Sequence, residues 1–153
     1  MLTSNTPSSE FIFKDSGMNG VDHCYLPFDF FFVTKKFVKS VSADLLIIIE
    51  TEIWPNLYSS CKKNKIGIIT INGRFNAPQG ILGLMSKKLY MNTLDKIDHI
   101  YCKSQRDVSA FKDYVDESKI SLTGNIKHVL VSNDVSGERI VDRKYVLLAS
   151  SHH

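Results

Sequence analysis

One run of five consecutive apolar residues, Leu45 to Ile49, most constrains what this chain can fold into. An unbroken aliphatic run of this length is typical of a strand buried on both faces, as in the parallel sheets of α/β proteins. The run leads directly into two acidic residues, Glu50 and Glu52. Because ligands bind outside the carboxyl ends of the strands in open α/β sheets, these acids lie where a binding site is expected.

A helix is predicted directly after this strand. Pro55 suits the first turn of a helix, where its missing N–H leaves no bond unmade. Thr51 or Glu52 would then lie near the N-cap, where a carboxylate also favours the helix dipole. Two interpretations of the acids therefore stay open, since a strand-end acid can cap the next helix or face a ligand.

The rest of the chain alternates between strand and helix patterns. Strands are predicted at residues 21–26, 44–49, 66–71, 97–102 and 119–122, and residues 2–4 could close another. Helices are predicted at residues 30–41, 54–64, 81–94 and 104–115, the last with Ser104 as N-cap. This alternation predicts βαβ units, and therefore an α/β fold with a mostly parallel sheet.

Composition sets broad limits on the class of protein. The 153 residues suffice for one domain with a core, and the formal net charge of +3 at pH 7 is too mild to argue for or against nucleic acid. A basic surface facing anionic lipid would also fit. Cys24, Cys61 and Cys102 are far apart, which favours reduced thiols packed as small hydrophobic groups. No signal-peptide pattern occurs, and no apolar run approaches the roughly 20 residues that span a bilayer.

Two changes of pattern predict the domain organisation. Residues 1–127 form a partial α/β domain, and the polar, irregular residues 128–144 read as an interdomain linker. Residues 145–153 then begin with a new buried-strand pattern, Tyr145 to Ala149, and are predicted to open a second domain. We therefore expect the chain to be an internal fragment of a larger protein.

Polar residues recur where successive predicted strands end: Glu50 and Glu52, Asn72 and Arg74, and Asn125 and Lys127. At one edge of a parallel sheet they would suit a site that handles anions. Arg74 and Lys127 could neutralise phosphates or carboxylates, while Glu50 or Glu52 could hold sugar hydroxyls or stabilise a cationic transition state. The ordinary alternative is that the basic residues are solvated and that Asn125 belongs to a common turn. No pair has metal-ligand spacing, and no phosphate-binding glycine motif occurs.

Five short motifs, in order along the chain, carry a resemblance. They begin at Tyr25 (Tyr-Leu-Pro-Phe-Asp), Glu50 (Glu-Thr-Glu-Ile-Trp-Pro-Asn), Asn72 (Asn-Gly-Arg), Thr123 (Thr-Gly-Asn-Ile-Lys) and Ala149 (Ala-Ser-Ser-His). Together they resemble the 3-deoxy-D-manno-octulosonic acid (Kdo) transferases, which add Kdo to lipid A in Gram-negative bacteria. The likeness covers nearly the whole chain, and the block at residues 50–56 is its most specific part.

The resemblance implies a two-domain, inverting, metal-independent glycosyltransferase of GT-B type. This chain would be an incomplete N-terminal domain, a Rossmann-like parallel sheet with flanking helices that binds the lipid acceptor. The implied partners are a lipid A precursor, the donor CMP-Kdo and the membrane surface, with no cofactor and no nucleic acid. The implied location of the intact enzyme is the cytoplasmic face of the bacterial inner membrane.

The resemblance also implies roles for individual residues. Glu50 and Lys127 match family positions linked to stabilising the transition state, whereas the general base is a Glu of a Gly-Glu motif that precedes this segment. The implied substrate-binding residues are Glu52, Asn72, Arg74, Asn125, Ser150, Ser151 and His152. We expect the fragment alone to be inactive, because the base and most of the donor site lie outside it. The alternatives are a non-catalytic lipid A-binding module and the remnant of a disrupted gene.

Overall fold

A single parallel sheet flanked by helices organises the parts of the chain that the computed structural model describes, residues 1–76, 80–126 and 145–148. The strands are β1 (Leu2–Ser4), β2 (His23–Tyr25), β3 (Leu45–Ile49), β4 (Gly67–Gly73), β5 (His99–Cys102), β6 (Ile120–Leu122) and β7 (Tyr145–Leu148). The helices are α1 (Pro7–Asp15), α2 (Phe31–Val41), α3 (Pro55–Lys63), α4 (Gly80–Leu94) and α5 (Gln105–Lys112), with a 3₁₀ turn at Glu117–Lys119. The strand order is β2-β1-β7-β3-β4-β5-β6, and each pair of neighbours is parallel. The predicted α/β fold with a Rossmann-like parallel sheet is confirmed.

The predicted strands and helices are present with small shifts at their ends. The strand β4 continues two residues past its predicted end and includes Asn72 and Gly73, whereas β2 and β5 each begin two residues later than predicted. Residue Ser104 caps α5 as predicted, because its hydroxyl accepts a hydrogen bond from the backbone N–H of Asp107. Lys119, the first residue of the strand predicted at residues 119–122, belongs instead to the 3₁₀ turn that precedes β6.

The helix α1 was not predicted from the sequence. It begins at Pro7, whose fixed backbone angle suits a first helical position, with Glu10 in its first turn and Lys14 in its last. None of its residues is buried. Its apolar residues Phe11, Ile12 and Phe13 are consecutive in the sequence, so the pattern lacks the apolar stripe at helical spacing by which a packed helix is recognised.

The place of β7 differs from the predicted domain organisation. We expected residues 145–153 to open a second domain, but β7 joins the first sheet, between β1 and β3. The strand β7 is parallel to both neighbours, and its backbone forms hydrogen bonds with each of them. The linker and the domain boundaries stay predictions, because residues 127–144 and 149–153 lie outside the described residues.

The core lies between the sheet and the helices α2 to α5. The central strands each contribute a fully buried isoleucine, Ile48, Ile68 and Ile100. The helices cover them with an apolar face that includes Val38, Leu57, Tyr58, Cys61, Leu94, Val108 and Phe111. Alternating burial along β3 and β4 leaves every second residue on the other face of the sheet half-buried. This packing fixes the ends of β3 and β4, where the predicted site residues lie.

Candidate functional site

Glu50 follows β3 in a backbone conformation that is unusual for a side-chain-bearing residue. Its φ angle is +62°, in the left-handed region, and its N–H donates a hydrogen bond of 2.9 Å to the carbonyl of Ile71. A left-handed residue other than glycine costs about 1–2 kcal/mol and persists where the surrounding structure fixes it. Such strain concentrates at functional sites, so the observation favours a role for the Glu50 side chain.

The end of β4 is shaped by a second left-handed residue, Asn72. Its φ is +54°, and the pairing of β4 with β5 shifts register between Thr70 and Gly73, as at a β-bulge. Glycine suits the next position, because a Cβ at Gly73 would lie 3.1 Å from a methyl carbon of Ile100 and 3.3 Å from the Tyr101 carbonyl oxygen, so these neighbours would have to move by a few tenths of an ångström. This bend directs the chain from β4 towards Arg74.

Arg74 is tied to the segment after β3 by its backbone. Its N–H donates a hydrogen bond of 3.1 Å to the Thr51 hydroxyl. The following N–H, of Phe75, donates to a carboxylate oxygen of Asp107 at 3.2 Å, and the Phe75 ring stacks on Phe111 with centroids 4.9 Å apart. These contacts fix the backbone of the Arg74 loop and leave its guanidinium exposed.

An open cavity of about 330 Å³ lies between these two strand ends. This volume falls in the range of small-molecule sites. A half-buried carboxylate and an exposed guanidinium face it, together with aromatic and polar groups that suit a sugar ring. The lining residues are Glu50, Thr51, Ile53, Arg74, Phe75, Asn76 and Tyr90. The structure thus brings together Glu50 and Arg74, two of the residues predicted from sequence.

Glu52 lies outside the described lining of this cavity. Its carboxylate accepts a hydrogen bond of 2.7 Å from the indole N–H of Trp54, and its backbone carbonyl accepts one from the hydroxyl of Tyr58. Tyr58 is fully buried, and burial raises its pKa well above the usual value, so the hydroxyl stays a donor. These contacts hold the loop between β3 and α3.

Asn72 is also absent from the described lining, because its side chain is 1% exposed. Its Oδ1 accepts a hydrogen bond of 3.4 Å from the backbone N–H of Ile126 and so ties β4 to the loop after β6. Asn125 lies half-buried in that loop. Four predicted site residues, Lys127, Ser150, Ser151 and His152, lie outside the described residues.

The cap of α3 differs from the prediction that Thr51 or Glu52 lies near it. The N-cap residue is Trp54, whose side chain does not cap, and the carboxylate of Asp29 does so from another part of the chain. Its two oxygens accept hydrogen bonds from the N–H groups of Asn56 at 3.0 Å and Leu57 at 2.8 Å. Sequence reasoning missed Asp29 as a cap because the two segments are 27 residues apart, although Asp29 ends one of the five motifs.

Among the residues that the structure describes, no cluster of three or more histidine, cysteine, aspartate or glutamate side chains could hold a metal ion. In the same residues no helix has both the length and the apolar character to cross a bilayer. Arg74 is the basic side chain in the described cavity lining. The chemistry available there is charge stabilisation and hydrogen bonding to a polar ligand.

A Rossmann-like sheet with a strained acid and an arginine at its carboxyl edge defines an α/β domain with a candidate ligand site at that edge. A sequence profile described as 3-deoxy-D-manno-octulosonic-acid transferase (kdotransferase) matches residues 1–130, most of the chain. The chain therefore belongs to the Kdo transferase family.

Curated relatives agree with this assignment. The chain is 29% identical to a 3-deoxy-D-manno-octulosonic acid transferase of Haemophilus influenzae, over 99% of this chain and 38% of the relative. It is 29% identical to the enzyme of that name from Rickettsia conorii, over 100% of this chain and 34% of the relative. The corresponding protein of Chlamydophila psittaci is 27% identical, over 87% of this chain and 31% of the relative. The chain thus spans about a third of the length of these relatives.

Proposed function

We propose that this chain is the acceptor-binding part of a glycosyltransferase that transfers Kdo from CMP-Kdo to a lipid A precursor in lipopolysaccharide synthesis. The observation that carries the proposal is that Glu50 and Arg74 line one cavity at the carboxyl edge of the sheet. Family membership over residues 1–130 and the names of the relatives support the reaction class. The intact enzyme would act at the cytoplasmic face of the inner membrane, where its acceptor is anchored.

The proposed reaction joins an acceptor hydroxyl to the anomeric carbon of Kdo, with inversion, and releases CMP. A general base would remove the hydroxyl proton, and we assign that role to no residue of this chain. The carbon–oxygen bond to CMP breaks as the new bond forms, so positive charge develops on the sugar ring and negative charge on the departing phosphate. Preorganised charges that oppose both lower the barrier and require no metal ion.

Individual residues of the chain then take separate parts. Glu50 lines the cavity, and its carboxylate would stabilise the positive sugar ring. Arg74 has an exposed guanidinium on the same cavity and would hold a phosphate or carboxylate of the acceptor. Lys127, Ser150, Ser151 and His152 stay predictions for the donor side. Glu52, Asn72 and Asn125 would hold the loops of the site in place.

Acceptor binding tests the first part of the proposal. The 153-residue chain is titrated with a lipid A precursor in detergent micelles, and binding is measured by Trp54 fluorescence and by calorimetry. Arg74→Ala should weaken binding at least about tenfold, because a charge-assisted pair is lost. Arg106→Ala is the matched control, since this exposed arginine on α5 is not in the described cavity lining, and it should bind as the unmodified chain does.

Transfer tests the second part. Residues 1–130 replace the aligned segment of the Haemophilus influenzae relative, and incorporation of Kdo from CMP-Kdo into the precursor is followed. Glu50→Gln should lower the rate about 10²–10³-fold with acceptor affinity unchanged, as expected for a group that acts on the transition state. An unchanged rate in an active chimera would refute the role of Glu50. Acceptor binding by the 153-residue chain, together with a chimera that transfers no Kdo, would instead support the non-catalytic lipid A-binding module.

A further inference from the structure

Two consecutive backbone N–H groups fix the segment that carries Arg74. The N–H of Arg74 donates to the Thr51 hydroxyl at 3.1 Å, and the N–H of Phe75 donates to Oδ1 of Asp107 at 3.2 Å. These N–H groups belong to the two planar peptide units that meet at the Arg74 Cα, so both units are held by side chains from other elements. The direction in which the Arg74 side chain leaves the backbone is therefore set by Thr51 and Asp107.

Asp107 is the buried one of these two acceptors. It lies in the first turn of α5, its exposed fraction is 7%, and it is not in the described cavity lining. Thr51, in contrast, lines the cavity itself. A ligand in the cavity would meet Thr51 directly, whereas Asp107 can act on that ligand only through the segment that it holds.

The two carboxylate oxygens of Asp107 have different partners. Oδ2 accepts a hydrogen bond from the hydroxyl of Ser104, and the same Ser104 oxygen accepts the N–H of Asp107 and caps α5. Oδ1 accepts the N–H of Phe75, which lies 32 residues earlier in the chain. A carboxylate at the third helical position commonly serves the cap of its own helix. Here the cap accounts for one oxygen, and the other holds the loop after β4.

The ring of Phe75 attaches the same segment to α5 a second time. Phe75 is buried, and its ring stacks on Phe111 and meets the ring of Tyr114 edge-on, with centroids 4.9 Å apart in both pairs. Asp107 and Phe111 are four residues apart and therefore lie on the same face of α5. One helix face thus holds both the backbone and the ring of Phe75, which directly follows Arg74.

Removal of the Asp107 carboxylate is expected to disturb the cavity through this segment. The N–H of Phe75 would become a buried donor without its acceptor, which is unfavourable unless the loop moves to reach water or another acceptor. Such a movement would redirect the side chain of Arg74. A side chain that starts from a fixed backbone loses less freedom on binding than one on a mobile loop, so ligand binding should weaken.

We propose that Asp107 is a positioning residue of the ligand site and holds the Arg74–Phe75 segment so that the Arg74 guanidinium is presented to the cavity. This inference deepens the proposed function and rests on it in one respect, since the ligand of Arg74 is taken to be a phosphate or carboxylate of the acceptor. The contact between Asp107 and the segment is the same whichever ligand binds. The segment and the ligand can therefore be tested separately.

Amide hydrogen exchange, resolved by residue with NMR, tests the segment without any ligand. In Asp107→Ala the N–H of Phe75 should exchange at least about tenfold faster, whereas Asp107→Asn keeps an acceptor oxygen and should retain most of the protection. Ser104→Ala is the matched control, because it removes the cap of α5 and leaves the contact between Asp107 and Phe75 in place. It should loosen the start of α5 and leave Phe75 protected. Unchanged exchange of Phe75 in Asp107→Ala would overturn the proposal.

Binding of the lipid A precursor in detergent micelles, measured by calorimetry, tests the effect on the cavity. Asp107→Ala should weaken binding about tenfold, as Arg74→Ala does, and Asp107→Asn should restore most of the affinity. The double variant Arg74→Ala, Asp107→Ala should bind about tenfold more weakly than the unmodified chain and not about a hundredfold, because Asp107 acts through a side chain that is already absent. A purely structural role of Asp107 would instead add its loss to that of Arg74→Ala.

Asp98→Ala is a matched control at the opposite edge of the sheet. The Asp98 carboxylate also accepts a backbone N–H, that of Ile68 at 2.8 Å, but it directly precedes β5 at the amino edge. This variant should expose Ile68 to exchange and bind the precursor normally. Additive losses in the double variant, normal binding by Asp107→Ala or an equal loss in Asp98→Ala would overturn the proposal. If the unmodified chain did not bind the precursor, the proposed function would fail, and exchange at Phe75 alone would support or overturn the positioning by Asp107.

Discussion

At the scale of single residues, the strained backbone of Glu50 is expected to lower the stability of the fold, while the Glu50 side chain serves the proposed function. Glycine readily adopts a φ of +62°, whereas this angle strains the backbone of a residue with a side chain such as Glu50. We expect Glu50→Gly to be more stable than Glu50→Ala by about 1 kcal/mol in the free energy of unfolding, because both remove the carboxylate and only glycine relieves the backbone. Urea denaturation of the two variants measures this difference.

The same pair of variants separates the backbone from the side chain. Both should lose the function assigned to the carboxylate, whichever is more stable. Lys65 provides the control, since it also has a left-handed φ, of +59°, in the turn between α3 and β4. Lys65→Gly should exceed Lys65→Ala in stability by a similar amount without affecting acceptor binding. Equal stability of Glu50→Gly and Glu50→Ala would show that the backbone of Glu50 is not strained.

The three thiols are expected to differ in reactivity. Burial raises the pKa of Cys61 to about 12 and that of Cys102 to about 11, and the half-buried Cys24 also has a raised pKa. At pH 8 only about one Cys61 thiol in 10⁴ and one Cys102 thiol in 10³ would be the reactive thiolate. Raising the pH towards each pKa increases the thiolate fraction about tenfold per unit.

Alkylation by iodoacetamide, followed by mass spectrometry, measures these rates. Cys24 should react first at pH 8, Cys102 more slowly and Cys61 slowest. In denaturant all three should react at similar rates, because the pKa shifts require the fold. Faster modification of Cys61 than of Cys24 in the folded chain would contradict the packing of α3 on the sheet.

How far the site can be predicted depends on what positions each residue. Glu50 and Arg74 follow apolar strands, and the topology of parallel sheets brings such positions to one edge whatever the loop details. The contacts of Glu52 with Trp54 and the burial of Asn72 depend on local turns and on one bulge. The type of residue and its spacing do not reveal these contacts.

At the scale of elements, the α3 helix depends on a cap from outside its own segment. Replacing Asp29 by alanine leaves the N–H groups of Asn56 and Leu57 without their acceptor. We expect Asp29→Ala to lower the free energy of unfolding by about 1–2 kcal/mol. Asp29→Asn retains one acceptor oxygen and should lose less. Chemical denaturation of the three proteins gives the order, and equal stability of Asp29→Ala and the unmodified chain would refute the cap.

Helices and strands were predicted correctly where the apolar pattern was long and periodic. The helix that was missed, α1, is at least partly exposed to solvent along its length. The strands β3 and β4 and the helices α2, α3 and α5 carry apolar residues at the spacing of their burial. The helix α1 has no buried residue, so no apolar stripe signals it. Its start at Pro7 was present in the sequence as a local signal, but such a signal alone does not distinguish a helix from a turn.

At the scale of the whole molecule, β7 joins two blocks of the sheet. One block is β1 with β2, and the other is β3 to β6. The sequence predicts a buried strand from Tyr145 to Ala149 but not which neighbours it pairs with, because an apolar run carries no information on strand order. Pairing between residues so distant in sequence is decided by which sheet edges are open to it.

The two-block sheet predicts a localised response to a proline in β7. Leu147 pairs with Leu2 on one side and with Ile47 on the other. Leu147→Pro removes a backbone N–H and places a rigid ring in the middle of the ladder, whereas Leu147→Ala keeps the backbone intact. We expect the proline variant to lower hydrogen-exchange protection at Thr3 and Cys24 by at least about tenfold while Ile68 and Ile100, in the other block, keep theirs. The alanine variant should retain protection in both blocks. Uniform loss of protection at all four positions, or none, would contradict a sheet whose two halves are joined through β7.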